Sequence, residues 1–283
     1  MRVLITGAEG MLGRRLVEEA ERRGHAVTGL DRPGFELSDP EAAARQIEAA
    51  RPELVVHGAA FTDVDACESQ AALAMAINGE ASGAVAQAAR RAGAYCLFVS
   101  TDYVFDGRKD GPYLEDDPTG PAGAYGRSKL LGEERVRAAG GSVLRLSWSF
   151  GPQGKNFVAT IAGLLTEGRA VKVVDDQRGS PTYTRDAAAA TLDIAEARGA
   201  GIYHGCNAGE TTWFGFARAI AAGLGRDPAQ VSPCTTAEFP RPAPRPANSR
   251  LGGRRLADLR GRPMPSWEDA LGRYLEEMGW LAS

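Results

Sequence analysis

Short apolar runs alternate with longer amphipathic stretches over the first half of the chain. The runs have the continuous hydrophobic pattern of strands buried on both faces, and the stretches between them repeat apolar residues at helical spacing. They predict strands over Val3–Thr6, Val27–Leu30, Leu54–Gly58, Tyr95–Ser100 and Val143–Ser147, and helices over Leu12–Arg23, Pro40–Ala50, Ala72–Ala92 and Tyr125–Ala139. This alternation is typical of an α/β fold with a doubly wound parallel sheet.

The alternation weakens after residue 150. Helices are predicted over Phe157–Glu167, Thr184–Arg198 and Trp213–Leu224, and strands over Val171–Val174 and Gly201–Asn207. Five prolines between Ser232 and Asn248 favour an extended, loop-like path. Beyond them, apolar residues at helical spacing predict a final amphipathic helix that needs a surface to pack on: Trp267, Leu271, Tyr274, Leu275, Met278 and Trp280. We therefore expect residues 151–283 to form mainly a smaller, ordered substrate-binding lobe, with some segments returning to the first domain.

The first strand runs into a glycine-spaced turn. Gly7, Gly10 and Gly13 follow it in a G-x-x-G-x-x-G pattern, and the next predicted strand ends at Asp31. Glycines here permit a tight turn, a close backbone approach to a pyrophosphate and close packing of helix on strand, and a carboxylate about twenty residues further on can accept from a ribose hydroxyl. Residues 1–150 are therefore predicted to form a Rossmann-type NAD(P)-binding domain.

Composition excludes several other classes of protein. The chain has 33 Lys and Arg against 36 Asp and Glu, a net charge of -3, so it lacks the basic footprint of a nucleic-acid-binding or anionic-membrane-binding protein. No apolar run approaches the roughly 18 residues of a membrane span, and the first strand starts beside the initiator Met, so we expect a cytoplasmic protein. The four cysteines form no C-x-x-C pair, and neither a disulfide framework nor a metal site is expected.

One pair of residues has the spacing of an acid–base site. Tyr125 and Lys129 lie four residues apart in a predicted helix, so they share a face. A free tyrosine has a pKa of about 10, and a neighbouring cation favours its phenolate. Ser100 and Thr101 end the strand that precedes this helix, where ligands bind in open α/β sheets. A hydroxyl there can donate to a substrate carbonyl.

The glycine turn, the strand-end hydroxyl and Y-x-x-x-K, in this order, resemble the extended short-chain dehydrogenase/reductase superfamily. More narrowly, the strings Ser100–Gly107, Gly154–Phe157 and Val173–Tyr183 are similar to the dTDP-4-dehydrorhamnose reductase family. That resemblance implies reduction of the C4 ketone of a nucleotide sugar, dTDP-4-dehydro-6-deoxy-L-mannose, to dTDP-L-rhamnose, with NADPH or NADH as hydride donor.

The resemblance also implies residue roles. The catalytic residues would be Thr101, Tyr125 and Lys129, with Tyr125 giving a proton, Lys129 lowering its pKa and holding the nicotinamide ribose, and Thr101 polarising the ketone. The implied cofactor-binding residues are Gly7, Gly10, Met11, Leu12, Gly13, Asp31, Arg32, Glu36, Leu37, Ala60, Phe61, Thr62, Tyr125 and Lys129. The implied substrate-binding residues are Thr101, Asp102, Trp148, Asn156 and Arg178.

Several alternatives stay open at this point. Asp31 suits an unphosphorylated ribose and Arg32 a 2′-phosphate, which suggests that both cofactors are accepted. A reductase of another nucleotide-linked 4-ketosugar, or a non-catalytic regulatory subunit of an S-adenosylmethionine synthetase, would share much of this pattern. Dehydratases place a second acid where Tyr103 stands, which argues against dehydration. Some relatives pair through a magnesium-bridged C-terminal helix; the residues do not indicate Mg²⁺, and they fit a monomer or a homodimer.

Overall fold

The computed structural model describes residues 1–282. Its strands are β1 (Arg2–Thr6), β2 (Ala26–Leu30), β3 (Leu54–His57), β4 (Tyr95–Thr101), β5 (Ser142–Leu146), β6 (Ser149–Phe150), β7 (Val171–Val174), β8 (Arg178–Gly179), β9 (Thr182–Tyr183), β10 (Ile202–His204), β11 (Thr211–Thr212) and β12 (Val231–Cys234). Its α-helices are α1 (Met11–Arg22), α2 (Pro40–Ala50), α3 (Val64–Ser69), α4 (Ala71–Ala74), α5 (Ala81–Arg91), α6 (Ala124–Ala138), α7 (Phe157–Thr166), α8 (Thr184–Glu196), α9 (Trp213–Gly223), α10 (Arg254–Arg260) and α11 (Trp267–Glu277).

Six of these strands form one parallel sheet in the order β10-β5-β4-β3-β1-β2. From β1 the chain moves outward to β2 and then returns past β1 to β3, so the order reverses beside β1. In open α/β sheets, ligands bind beyond the carboxyl ends of the strands at such a reversal. The predicted doubly wound parallel sheet is confirmed.

Helices cover both faces of this sheet. On one face, apolar residues of α1 and α8 pack against β1, β3 and β4. On the other face, α2, α5 and α6 pack against the same central strands. Burial on both faces explains why each central strand has a core of Val, Leu, Ile or Phe residues. Both β10 and α8 come from the second half of the chain, so that half contributes to the main sheet and its helical layer.

A separate apolar cluster lies in the second half of the chain. Buried residues of α7, α9 and α11 share it with β7 and β12. The predicted terminal helix is present as α11, and Trp267, Leu271, Tyr274 and Leu275 are buried in this cluster. The division of the chain near residue 150 into two domains stays a prediction.

The structure differs from the predicted elements in a few places. The predicted helix Ala72–Ala92 consists of α4, a π-helical segment at Met75–Glu80, and α5. Helix α3 was not among the predicted helices, and the Asp63 carboxylate caps it by accepting from the Ala66 N–H at 2.9 Å. Helix α10 was also missed. Among residues 1–282, no helix combines the length and the apolar character needed to cross a bilayer.

Candidate active site

A cavity of about 1130 Å³ opens beyond the carboxyl ends of the central strands. The glycine turn forms one end of its wall, and the end of β4 with the first turns of α6 forms the other. Seventeen of the predicted site residues line it: Gly7, Gly10, Met11, Leu12, Gly13, Asp31, Arg32, Glu36, Leu37, Ala60, Phe61, Thr62, Thr101, Asp102, Tyr125, Lys129 and Trp148. The volume exceeds that of a usual drug-sized pocket, about 300–1,000 Å³.

The glycine turn brings α1 against the end of β1. Gly7 has a φ of +73°, in the left-handed region that disfavours side chains, and its N–H donates to the Leu30 carbonyl oxygen at 2.9 Å. A Cβ on Gly13 would lie 1.9 Å from the Gly7 carbonyl oxygen. Helix α1 begins after Gly10 without a side-chain cap, so no side chain occupies its first N–H groups. The turn therefore fits the pyrophosphate of a dinucleotide.

The Gly13→Ala variant tests this close approach. The added methyl must displace backbone, so we expect a stability loss of about 1–3 kcal/mol, typical of overpacking, together with weaker NADPH binding. Thermal unfolding and titration calorimetry measure the two effects. The control is Gly163→Ala in α7, where an added Cβ meets nothing within 4 Å and alanine should be neutral or stabilising. Unchanged NADPH affinity in Gly13→Ala would contradict a pyrophosphate site at this turn.

The Asp31 carboxylate ties the glycine turn to the end of β2. Its two oxygens accept from the backbone N–H groups of Glu9 and Arg32, each at 2.8 Å. The Arg32 side chain next to it is exposed at the cavity mouth. The carboxylate thus holds the turn, and a carboxylate has further lone pairs for a ribose hydroxyl. Acceptance of both nicotinamide cofactors stays a prediction.

The predicted catalytic residues lie on one wall of the cavity. Thr101 ends β4, and α6 carries Tyr125 and Lys129. The Lys129 ammonium donates to the Val99 carbonyl oxygen at 2.7 Å and lies 3.9 Å from the centroid of the Phe98 ring. Burial lowers the pKa of Lys129 to about 7, and the Glu133 carboxylate opposes this shift.

The expectation that Lys129 lowers the pKa of Tyr125 stays a prediction. Burial raises the pKa of the Tyr125 phenol, the Asp102 carboxylate raises it further, and only the Thr101 hydroxyl acts in the other direction. Burial has the largest effect because loss of water penalises the charged phenolate. A neutral phenol is a proton donor, so the raised pKa is compatible with a role as an acid.

A buried polar chain supports this wall from behind. In the π-helical segment, the Asn78 amide donates to the Phe61 carbonyl oxygen at 3.0 Å and to the Ser128 hydroxyl at 3.0 Å, and its oxygen accepts from the Phe61 N–H at 2.7 Å. The Ser128 hydroxyl in turn donates to the Tyr125 carbonyl oxygen at 2.8 Å. Asn78 therefore links the loop after β3 to α6. No motif in the sequence marks this role of Asn78, because the residue lies within an otherwise ordinary helical pattern.

Two predicted substrate residues lie outside the cavity wall. The Asn156 side chain caps α7 by accepting from the Ala159 N–H at 3.0 Å, and it donates to the Gly151 carbonyl oxygen at 2.9 Å. The backbone of Arg178 pairs with Thr212 and Asn248, and its side chain is exposed. Asn156 thus serves as a helix cap and Arg178 as a strand-pairing residue. Both lie in strings that resemble the family, but neither lines the cavity.

The tryptophan at the far end of the cavity is held by a second one. Trp148 has a φ of +46°, and its ring stacks on Trp213 with centroids 3.5 Å apart. The stacking partner comes from α9, which the linear sequence places far away. Trp148 thus presents a fixed aromatic surface to the cavity. Tyr103, Ser147 and Lys155 also line the cavity and were not predicted.

A buried ion pair lies beneath the catalytic wall. On β5, the Arg145 guanidinium donates to both carboxylate oxygens of Glu133 on α6, at 2.9 and 2.6 Å, and the Ser100 hydroxyl donates to the same carboxylate at 2.6 Å. Both charged side chains are at most 3% exposed. Glu133 lies one turn beyond Lys129, so the pair connects the sheet to the helix that carries Tyr125 and Lys129. Within residues 1–282, no cluster of His, Cys, Asp or Glu has the arrangement of a metal site.

Comparison with known proteins decides the family. Residues 1–279 match the family described as "RmlD substrate binding domain". The dTDP-4-dehydrorhamnose reductase of Burkholderia thailandensis is 43% identical over 296 residues, covering 98% of this chain and 99% of that protein. The chain belongs to the dTDP-4-dehydrorhamnose reductase family. The crystal structure of the Bacillus anthracis dTDP-4-dehydrorhamnose reductase, in complex with NADP, is 35% identical, covers 98% of this chain and 99% of its own, and has a TM-score of 0.92.

The family also has relatives with other names. A Streptomyces antibioticus protein, "Probable dTDP-4,6-dihydroxy-2-methyloxan-3-one 4-ketoreductase", is 42% identical over 275 residues, covering 96% of this chain and 93% of that protein. The ketosugar in that name is also linked to dTDP. The names of the relatives therefore cover more than one dTDP-linked ketosugar.

Proposed function

We propose that this chain catalyses the NAD(P)H-dependent reduction of the C4 ketone of dTDP-4-dehydro-6-deoxy-L-mannose to dTDP-L-rhamnose. The observation that carries the proposal is the placement of Thr101, Tyr125 and Lys129 on the wall of one cavity that also contains the glycine turn. The names of the relatives from Burkholderia thailandensis and Bacillus anthracis support this choice of reaction and cofactor.

The cofactor residues fit a nicotinamide dinucleotide. A Cβ on Gly7, Gly10 or Gly13 would meet backbone atoms of the turn or of the loop after β3, so these glycines keep the turn tight at the cavity wall. Asp31 and Arg32 stand at the end of β2 for the adenosine ribose. Towards the adenine, we assign the exposed Glu36 and the buried Leu37, and along the cofactor Ala60, Phe61 and Thr62. When bound, the reduced nicotinamide supplies the hydride.

Tyr125 supplies the proton in this proposal. Because burial raises its pKa, the phenol is neutral at physiological pH and can give its proton to the oxygen on which negative charge develops. Thr101 donates a hydrogen bond to that same oxygen. Lys129 contributes a donor beside them, held by the Val99 carbonyl oxygen. All three side chains act at or beside the oxygen on which negative charge develops. They therefore stabilise the transition state more than the bound substrate, which is the requirement for catalysis.

The sugar end of the cavity is assigned to Asp102 and Trp148. Trp148 is rigid because of its stacking on Trp213, so its face can cover a sugar ring or a base without further ordering. Asn156 and Arg178 are left out of this assignment because their side chains do not line the cavity.

A direct assay tests the proposed function. Purified protein is mixed with NADPH, then with NADH, and the loss of absorbance is followed with dTDP-4-dehydro-L-rhamnose and, separately, with the ketosugar named for the Streptomyces antibioticus relative. We expect one cofactor oxidised for each molecule of dTDP-4-dehydro-L-rhamnose reduced. Oxidation only with the other sugar would move the assignment to that substrate. Cofactor binding with no oxidation of either sugar would contradict a reductase and favour a regulatory subunit.

A further inference from the structure

The Asp102 carboxyl is a buried group with an unpaired oxygen. It follows Thr101 at the carboxyl end of β4, lines the cavity and is only 3% exposed. Its Oδ1 accepts from the Thr101 hydroxyl at 2.9 Å, whereas its Oδ2 has no hydrogen-bond partner. An ionised carboxylate is costly here because its Oδ2 has lost water without gaining a donor.

The protonation state of Asp102 decides what the Thr101 hydroxyl can do. A hydroxyl has one hydrogen to donate, and an ionised carboxylate can only accept. When Asp102 is ionised, the Thr101 hydroxyl donates its hydrogen to Asp102, so no hydrogen remains for a substrate oxygen. A neutral carboxyl reverses this bond: its O–H donates to the threonine oxygen, and the threonine hydrogen is free for the cavity.

The surroundings of Asp102 favour the neutral form. Burial raises the pKa of Asp102 to about 7, although nearby donors, first the Ser249 hydroxyl and then the Thr101 hydroxyl, oppose the shift. The Ser249 hydroxyl itself donates to the Arg178 carbonyl oxygen at 3.4 Å.

The titratable groups around Asp102 add no positive charge. They are Tyr103 on its own 3₁₀ turn, Tyr125 on α6 and Cys206 after β10, and an Asp102 charge raises the pKa of each. The Lys129 ammonium on α6 is held by the Val99 carbonyl oxygen.

We propose that Asp102 works as a neutral carboxylic acid, the positioning residue that turns the Thr101 hydroxyl hydrogen towards the substrate ketone. This inference rests on the proposed function. Asp102 keeps its proton throughout turnover, since the proton added to the product comes from Tyr125. A neutral aspartic acid that donates a hydrogen bond in an active site has a physical precedent in apolar pockets.

The Asp102→Asn variant tests this inference. Its amide can still donate to Thr101 but cannot ionise, so the ratio of variant to wild-type kcat should rise with pH above about 7, by about tenfold per pH unit, as wild-type Asp102 loses its proton. Using the ratio removes any ionisation that both proteins share, such as that of Lys129. In a Thr101→Val background the ratio should stay flat. A ratio independent of pH with Thr101 present would overturn the proposal.

The matched control is Asp106→Asn. Asp106 lies close in sequence, but it is outside the cavity wall and accepts from the Tyr113 hydroxyl at 2.5 Å. Its ratio of kcat to wild type should not change with pH.

A second measurement does not depend on turnover. The infrared difference spectrum of wild type minus Asp102→Asn, at about pH 6, should contain a protonated carboxyl band that disappears as the pH is raised through the Asp102 pKa. Absence of that band would overturn the proposal. If neither ketosugar is reduced, the proposed function fails, and the infrared band still decides whether Asp102 is neutral.

Discussion

Replacing Tyr125 with phenylalanine is expected to lower kcat by about 10²–10⁴-fold, the range for a positioned acid. The substitution removes the phenolic proton, while the ring keeps its edge-to-face contact with Tyr103, whose centroid lies 5.7 Å away. NADPH binding should therefore change little. Stopped-flow measurement of NADPH oxidation and calorimetric measurement of its affinity separate the two effects.

The control for this prediction is Tyr95→Phe. That phenol donates to the Gly199 carbonyl oxygen at 2.6 Å, away from the cavity wall, so its loss should cost about 1 kcal/mol of stability and leave kcat unchanged. A Tyr125→Phe variant that retains more than about a tenth of the wild-type kcat would show that another group delivers the proton.

The largest stability loss is expected when the buried pair of Arg145 and Glu133 is broken. Either Glu133→Gln or Arg145→Met alone leaves an uncompensated charge between the sheet and α6, and each should cost about 3–5 kcal/mol. Denaturant unfolding followed by circular dichroism measures the change in the free energy of unfolding.

The double variant Glu133→Gln/Arg145→Met separates the pair from the individual side chains. With both charges removed, no ion remains buried, so we expect much of the lost stability to return. Two single losses that simply add in the double variant would contradict a direct interaction. The exposed pair of Arg135 and Glu80, 3.0 Å apart, is the matched control, and Arg135→Met should cost less than about 1 kcal/mol.

Most of the framework could be predicted because its determinants are local. The apolar runs correspond to β1 to β5 within one or two residues, and Pro40–Ala50 matches α2 at both ends. The glycines of the turn and the pair Tyr125 and Lys129 were likewise identified from short-range spacing, and all of them line the cavity. In a parallel sheet, strand order brings the carboxyl ends together, so residues that follow strands meet there.

Interactions between distant segments could not be predicted in this way. Asn156 lies in a string that resembles the family, but it serves as a helix cap. Arg178 lies in a strand pair, and its side chain is exposed. Asn78 gave no sign of its role because its partners, Phe61 and Ser128, come from two other segments.

The sequence by itself determined where β1 to β5 and most of the helices lie along the chain, the position of the glycine turn and the candidates for the reacting side chains, since periodicity and short-range spacing specify these features. Only the tertiary structure decided the electrostatics of the site. Burial of Tyr125 and Asp102 raises the pKa of each, and the Val99 carbonyl oxygen holds the Lys129 ammonium. Desolvation depends on every segment packed around a group, and no local pattern in the chain records that sum.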